Sequence, residues 1–273
     1  MEYQSDLENP VRTCLTITLL LFSLASRTAL AADYNLVIQP VLSEENTRGF
    51  YQPMADYLSK VTGENFHILT HKNFLTYWER MKKGKGFDFV LDAAHFTDYR
   101  VQKQQYRVLA KLPDTVSFTV ITGKDDFIFD MSELISKKIA TMSAPSLGEL
   151  RLEAMFPNPV RLPFYIQVEN STVAGEMLMK GEVDAAIIPT PLVPRFEGAN
   201  TVTSTEPVPH MALSASPDIP EVLALKVQKT LIEAINTPEG KKMLETLNLD
   251  HFDPATNEDY AGYAQLLEGV FGY

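Results

Sequence analysis

The chain is nearly without thiol chemistry: its 273 residues include one cysteine, Cys14. A single cysteine forms no intrachain disulfide, and Cys14 falls in a segment expected to be removed, so the mature chain would carry neither a disulfide nor a thiol nucleophile. Its core alone must hold it together. Positive charge is also scarce, with 24 Lys and Arg against 35 Asp and Glu, a net charge of -11 and a pI near 5.0. Such a surface repels nucleic-acid phosphates and anionic lipid headgroups, which excludes nucleic acid as a partner. Motifs that carry known chemistries are missing too. There is no G-x-S-x-G elbow, no H-E-x-x-H pair and no glycine-rich phosphate loop. The five histidines are scattered, and the nearest two, His67 and His71, straddle the end of a strand-like run, a spacing that does not aim both rings at one ion. No metal or cofactor is expected, and no repeat or low-complexity linker interrupts the chain.

What remains is an ordinary globular composition, 45% hydrophobic and 22% charged. The one long apolar run, CLTITLLLFSLA from Cys14 to Ala25, is too short to cross a bilayer as a helix and suits the core of a secretory signal. Ala29-Leu30-Ala31 follows with the small-x-small pattern of a cleavage site, so residues 1–31 read as a signal peptide and the mature chain as starting near Ala32. Export to the periplasm is the expectation. Glu2, Asp6 and Glu8 make an acidic opening where a signal needs basic residues, whereas Arg12 supplies the right charge. A translation start at Val11 would reconcile the two.

From residue 32 the chain alternates strand-like and helical runs, the pattern of an open α/β sheet. Leu36 to Val41, Phe66 to Thr70 and Phe87 to Leu91 read as strands. Between them lie helices with Phe50, Met54, Leu58 and Val61 on one face, ended by Gly63, and with Phe74, Trp78 and Met81 on another. The pattern restarts after Ser117 to Thr122. Capping boxes at Asp130/Glu133 and Ser146/Glu149, the strand KIATM from Lys138 to Met142, a run near Arg161 to Val168, a helix from Ser171 to Lys180 and the strand VDAAII from Val183 to Ile188 follow. Beyond Pro209 the tail reads as helical, with a stripe of Val227, Leu231, Ala234 and Ile235, a helix started by Thr237-Pro238, and a last helix from Thr256. Two lobes are expected, residues 32–120 with 205–273 and residues 121–204, joined by two crossing segments that make a hinge.

FYQPMADYLSKVTG (Phe50 to Gly63), FLTYWERMKKGKGFDFVL (Phe74 to Leu91), KGEVDAAII (Lys180 to Ile188) and TPEGKKMLETLNLDHFDPATNEDY (Thr237 to Tyr260) keep an order and spacing that resembles the phosphonate-binding family of periplasmic solute-binding proteins. The resemblance implies a type II two-lobed fold, a small ligand in the interlobe cleft, and a monomeric receptor that delivers that ligand to the membrane permease of an ABC transporter. It also implies site residues. Where the family presents a Ser-Thr-Ser-Gly turn at a helix N-terminus to hold phosphonate oxygens, this chain has Ser143-Ala144-Pro145-Ser146-Leu147-Gly148, which puts Ser143, Ser146 and Gly148 forward; Ser146 is equally a helix cap. Phe74 takes the place of a tyrosine. Ser171 and Thr172 stand where a His and an acidic residue are usual, and Pro189-Thr190 where an Asp or Asn is.

The loop after the third strand reads Asp92-Ala93-Ala94-His95-Phe96. Asp92 is either a receptor for a cationic or polar group, in which case it would repel a phosphonate, or the cap of the next helix. His95 is either a ligand contact or a packed histidine. The substitutions gather in the cleft loops while the scaffold keeps its pattern, so the ligand class is open and phosphonate is its first candidate. Two other readings stand beside uptake: a periplasmic subunit reporting ligand to a membrane sensor, and an enzyme on the same fold, for which Asp92 and His95 are the only acid and base at hand.

Overall fold

The computed structural model describes residues 31–270 and 273. The proposed signal segment and start site lie outside the described residues, apart from the cleavage position at Ala31. No helix among the described residues is long and apolar enough to cross a membrane. In chain order the first part runs β1 (Asp33–Ile38), α1 (Glu44–Thr62), β2 (Asn65–Leu69), α2 (Phe74–Lys82), β3 (Phe89–Asp92), α3 (Ala94–Gln104), β4 (Arg107–Lys111) and the two-residue β5 (Thr115–Val116). The middle comprises β6 (Phe118–Thr122), β7 (Lys138–Met142), α4 (Leu147–Ala154), β8 (Phe164–Val168), α5 (Ser171–Met179), β9 (Ala185–Pro189) and β10 (Asn200–Ser204). The last part holds β11 (Val208–Pro209), β12 (Ala212–Ala215), α6 (Glu221–Ile232), α7 (Pro238–Thr246) and β13 (Asp253–Pro254).

These strands form two main sheets. The first has the order β13-β4-β12-β3-β1-β2 and the second β10-β6-β9-β7-β8, each mixed and flanked by helices. Parallel pairs β1-β2, β1-β3, β7-β8 and β7-β9 come from βαβ units, whose crossover helices cover the sheet faces. Between the sheets the chain passes twice, and the two passes pair antiparallel as β5 and β11, with Val116 opposite Val208. This is the mixed α/β, two-sheet architecture of type II binding proteins.

Local chemistry sets most helix ends. Ser43, Asn73, Ser146 and Asn170 each accept a bond from a backbone N–H in the first turn of α1, α2, α4 and α5. Gly63 closes α1 in the left-handed conformation at φ 81°, donating its N–H to Ser59. The first sheet packs Leu36, Ile38, Met54, Leu58, Leu213 and Val227 on one face, and an aromatic layer of Phe74, Tyr77, Trp78 and Phe96 on the other.

Three expectations about the tail need correction. Ala212 to Ala215 is not part of a helical tail but a strand buried between β3 and β4; four small residues carry too short a pattern to announce it. The apolar stripe breaks at Ile232, where α6 ends, leaving Ile235 exposed. The last helix from Thr256 is two 3-10 turns, 257–260 and 263–267, parted by Gly262 at φ 94°; the Asp259 carboxylate accepts the Thr256 N–H at 2.7 Å and opens only the first turn. The Ser146/Glu149 box is half formed. Ser146 Oγ accepts from the Glu149 N–H, but the Glu149 carboxyl does not return the bond and its Oε2 is buried without a partner among the described residues.

Candidate cleft site

Helices that follow parallel strands begin at the strands' C-terminal ends, and a crevice there is bordered by helix N-termini. In this chain a cavity of about 480 Å³ lies at that place. Gln39, Val41 and Leu42 reach it from the end of β1, Phe50 and Tyr51 from α1, Phe74 from the start of α2, and Ala93 from the end of β3. From the second sheet come Met142, Ser146 and Leu147 at the start of α4, Asn170, Ser171 and Thr172 at the start of α5, and Pro189, Pro191, Leu192 and Arg195 after β9. The crossing segments add Val116, Phe118, His210 and Met211.

Of the residues singled out from the sequence, Phe74, Ser146, Ser171 and Thr172 are brought together on this cavity; Ser143, Gly148, Thr190, Asp92 and His95 do not line it. Thr190 spends its hydroxyl on Ser117 and Thr119, at 2.7 and 2.9 Å, pinning the segment after β9 to the crossing strand. Gly148 lies under a ring, and a Cβ there would sit 3.1 Å from Phe118 Cδ1.

Asp92 is neither a cleft acid nor a helix cap. Its side chain is fully buried and pairs with the guanidinium of Arg100, with added bonds from the Tyr77 hydroxyl at 2.6 Å and Thr97 at 3.0 Å. Ala93 occupies the cap position of α3 and makes no side-chain cap bond. The reason is the buried Arg100 on the next turns of α3: an unpaired guanidinium in the aromatic layer would be far more costly than an uncapped amide. His95 is likewise buried, with Nε2 2.9 Å from the Pro145 carbonyl, and burial lowers its pKa to about 4. It is therefore a neutral donor clasping the loop before α4, with no exposed face for a ligand or for acid–base work.

The polar inventory of the cavity is one-sided. Among the described residues that line it there is no Asp or Glu. Arg195 is exposed and has no ion-pair partner among the described residues. His210 accepts the Met211 N–H at Nδ1 (2.7 Å), which places its proton on Nε2, and burial followed by the Lys111 charge depresses its pKa, so it donates as the neutral ring. Burial pushes the Tyr51 phenol up to about 12, keeping it protonated. Asn170 spends its carbonyl on the Val173 N–H, leaving its NH₂. The first amides of α4 and α5 have no intrahelical acceptor, as at any helix start, and both starts lie on the cavity. Arg195, Tyr51, Asn170 and His210 escaped the sequence reading because nothing local marks them. Arg195 sits in a 3-10 turn (190–195), and His210 in a crossing segment.

Two sheets, two crossings and a donor-lined cleft at the strand ends define a two-lobed ligand-binding protein. The chain belongs to the family described as "ABC transporter, phosphonate, periplasmic substrate-binding protein", which it matches over residues 36–260. No curated protein matches. Among solved structures, PhnD1 from Prochlorococcus marinus in complex with methylphosphonate is similar with a TM-score of 0.74 at 13% identity, over 87% of this chain and 98% of that one. A binding-protein component of an ABC phosphonate transporter from Pseudomonas aeruginosa gives 0.72 at 14% identity, over 87% and 86%. A Xanthomonas citri protein bound to ATP gives 0.70 at 14%, over 88% and 100%. At such identities these likenesses speak for the fold alone.

Proposed function

We propose that this chain captures a ligand with a phosphonate-type oxyanion head in its cleft and presents it, as a periplasmic receptor, to the permease of an ABC transporter, binding without turnover. The observation that carries the reading is that the described residues lining the cleft offer uncommitted donors and no carboxylate. Every polar group there with an uncommitted hydrogen, from Tyr51, Asn170, Thr172, Arg195 and His210 to the amides opening α4 and α5, suits an acceptor, and no carboxylate among the described residues opposes one. The acid that argued against an oxyanion in the sequence, Asp92, is neutralised inside the protein by Arg100. The clasp between His95 and Pro145 and the crossing pair β5-β11 fit a hinge-closing receptor.

Calorimetric titration of the mature chain with methylphosphonate, phosphate, sulfate and a polyamine tests this. Binding of oxyanions and not of the polyamine is expected, with Arg195→Ala weakening the best oxyanion by roughly tenfold to a hundredfold, the size of a lost charge-assisted bond. An affinity unchanged by Arg195→Ala, or a preference for the polyamine, would sink the reading.

A further inference from the structure

We infer that the ligand of this cleft carries a large, neutral, apolar substituent, an aryl or long alkyl group on the anionic head, and is neither a bare oxyanion nor an aminoalkyl one. This rests on the oxyanion reading above and extends it to the rest of the ligand. The donors gather at the starts of α4 and α5 and at Arg195, yet most of the wall is hydrocarbon, from Phe50, Phe74, Phe118, Leu147, Leu192 and Met211. A volume of about 480 Å³ falls among pockets, roughly 300–1,000 Å³, that enclose drug-sized organic molecules. A head of one phosphorus and three oxygens would leave most of that wall wet.

Two details show how the wall is kept apolar. Gln39 and Ser171, which could have hydrated a compact polar ligand, are turned onto methionine sulfurs: Gln39 Nε2 donates to Met211 Sδ at 2.8 Å while its Oε1 accepts from the Ala93 amide, and Ser171 Oγ donates to Met142 Sδ at 3.4 Å. Gly148 lets the Phe118 ring lie against the first turn of α4, so an aromatic surface adjoins the amides that would hold the head. The described residues of the cavity also offer no carboxylate to pair an ammonium group, so an aminoalkyl substituent would lose its hydration without compensation.

Methylphosphonate, 2-aminoethylphosphonate, phenylphosphonate and 3-phenylpropionate titrated into the mature chain distinguish the outcomes. Phenylphosphonate is expected to bind at least about tenfold tighter than either of the other phosphonates, a ratio within reach of burying one ring. Phe50→Ala and Leu192→Ala should each bring that ratio toward one, with folding checked by melting temperature. Equal affinities for methyl- and phenylphosphonate within about threefold, or tighter binding of the aminoethyl compound, would overturn the apolar substituent and leave the oxyanion reading standing. Binding of 3-phenylpropionate alone would uphold the apolar compartment and reject a phosphonate head. No binding by any of the four would overturn both.

Discussion

At the scale of single residues, buried ionisable groups set how this protein responds to mutation and pH. Asp92 and Arg100 are both fully buried, and Arg100 keeps Nε and Nη1 without partners among the described residues. Removing the carboxylate strands the guanidinium, so Asp92→Ala should cost about 3–5 kcal/mol, read as a lower urea midpoint at unchanged slope. His95 and Glu149 pull the pH profile in opposite directions. Unfolded His95 titrates near 6.5 and folded His95 at about 4, so its contribution is complete above pH 6.5 and is lost as pH falls toward 4. Glu149 titrates near 4.5 when unfolded and about 8 when folded, raised by burial and then by Glu153, so its contribution is complete below pH 4.5 and is lost as pH rises to 8. Between 4.5 and 6.5 the two slopes oppose, and from 6.5 to 8 Glu149 alone acts. Glu149→Gln should therefore flatten the melting curve's decline from pH 6.5 to 8, gaining at least about 3 °C at pH 8 relative to the parent, while His95→Gln leaves that range as it was.

Among the elements, α5 illustrates how a helix positions a cavity-lining residue it does not itself carry, the proposed ligand contact Arg195. Its Gly175 lies against the Phe196 ring, where an added Cβ would overlap the ring atoms, and Phe196 follows Arg195 directly. Gly175→Ala must push the 3-10 turn at 190–195 away from the helix. A loss of about 1–3 kcal/mol in stability is expected. Oxyanion affinity should fall with it, although the substitution is outside the cavity; an unchanged titration would mean that Arg195 does not depend on this packing. The α4 helix has a comparable role: its Leu150 enters the aromatic layer of the first sheet and its Leu147 packs with Ala93 and Tyr260, so the helix start that faces the cavity is gripped from the opposite sheet.

For the molecule as a whole, the cleft exists only because the chain visits the second sheet and returns. Two short crossings, paired through β5 and β11, are the segments that the proposed hinge closure would bend. A ligand that touches both sides favours the closed arrangement by its differential affinity. Small-angle scattering should show a smaller radius of gyration on saturation with a bound oxyanion, and an identical profile with and without it would reject hinge closure.

The sequence by itself determined the α/β class, the restart of the βαβ pattern, the caps at Ser146 and Thr237, and a family pattern running through nearly all of the described chain. These are legible because amphipathic periodicity and capping act within a few residues of the chain. It also marked Phe74, Ser146, Ser171 and Thr172, each next to a helix start that a local pattern reveals. Only the tertiary structure decided the charge of the site. Asp92 and Arg100 are eight residues apart, one at a strand end and one deep in α3, and whether that carboxylate faces a ligand or a guanidinium depends on packing against Tyr77. Arg195 and His210 come from a 3-10 turn and a crossing segment without periodicity, and β12 is too short to announce itself. Burial and long-range pairing assign the roles of such residues, and neither is a property of the local chain.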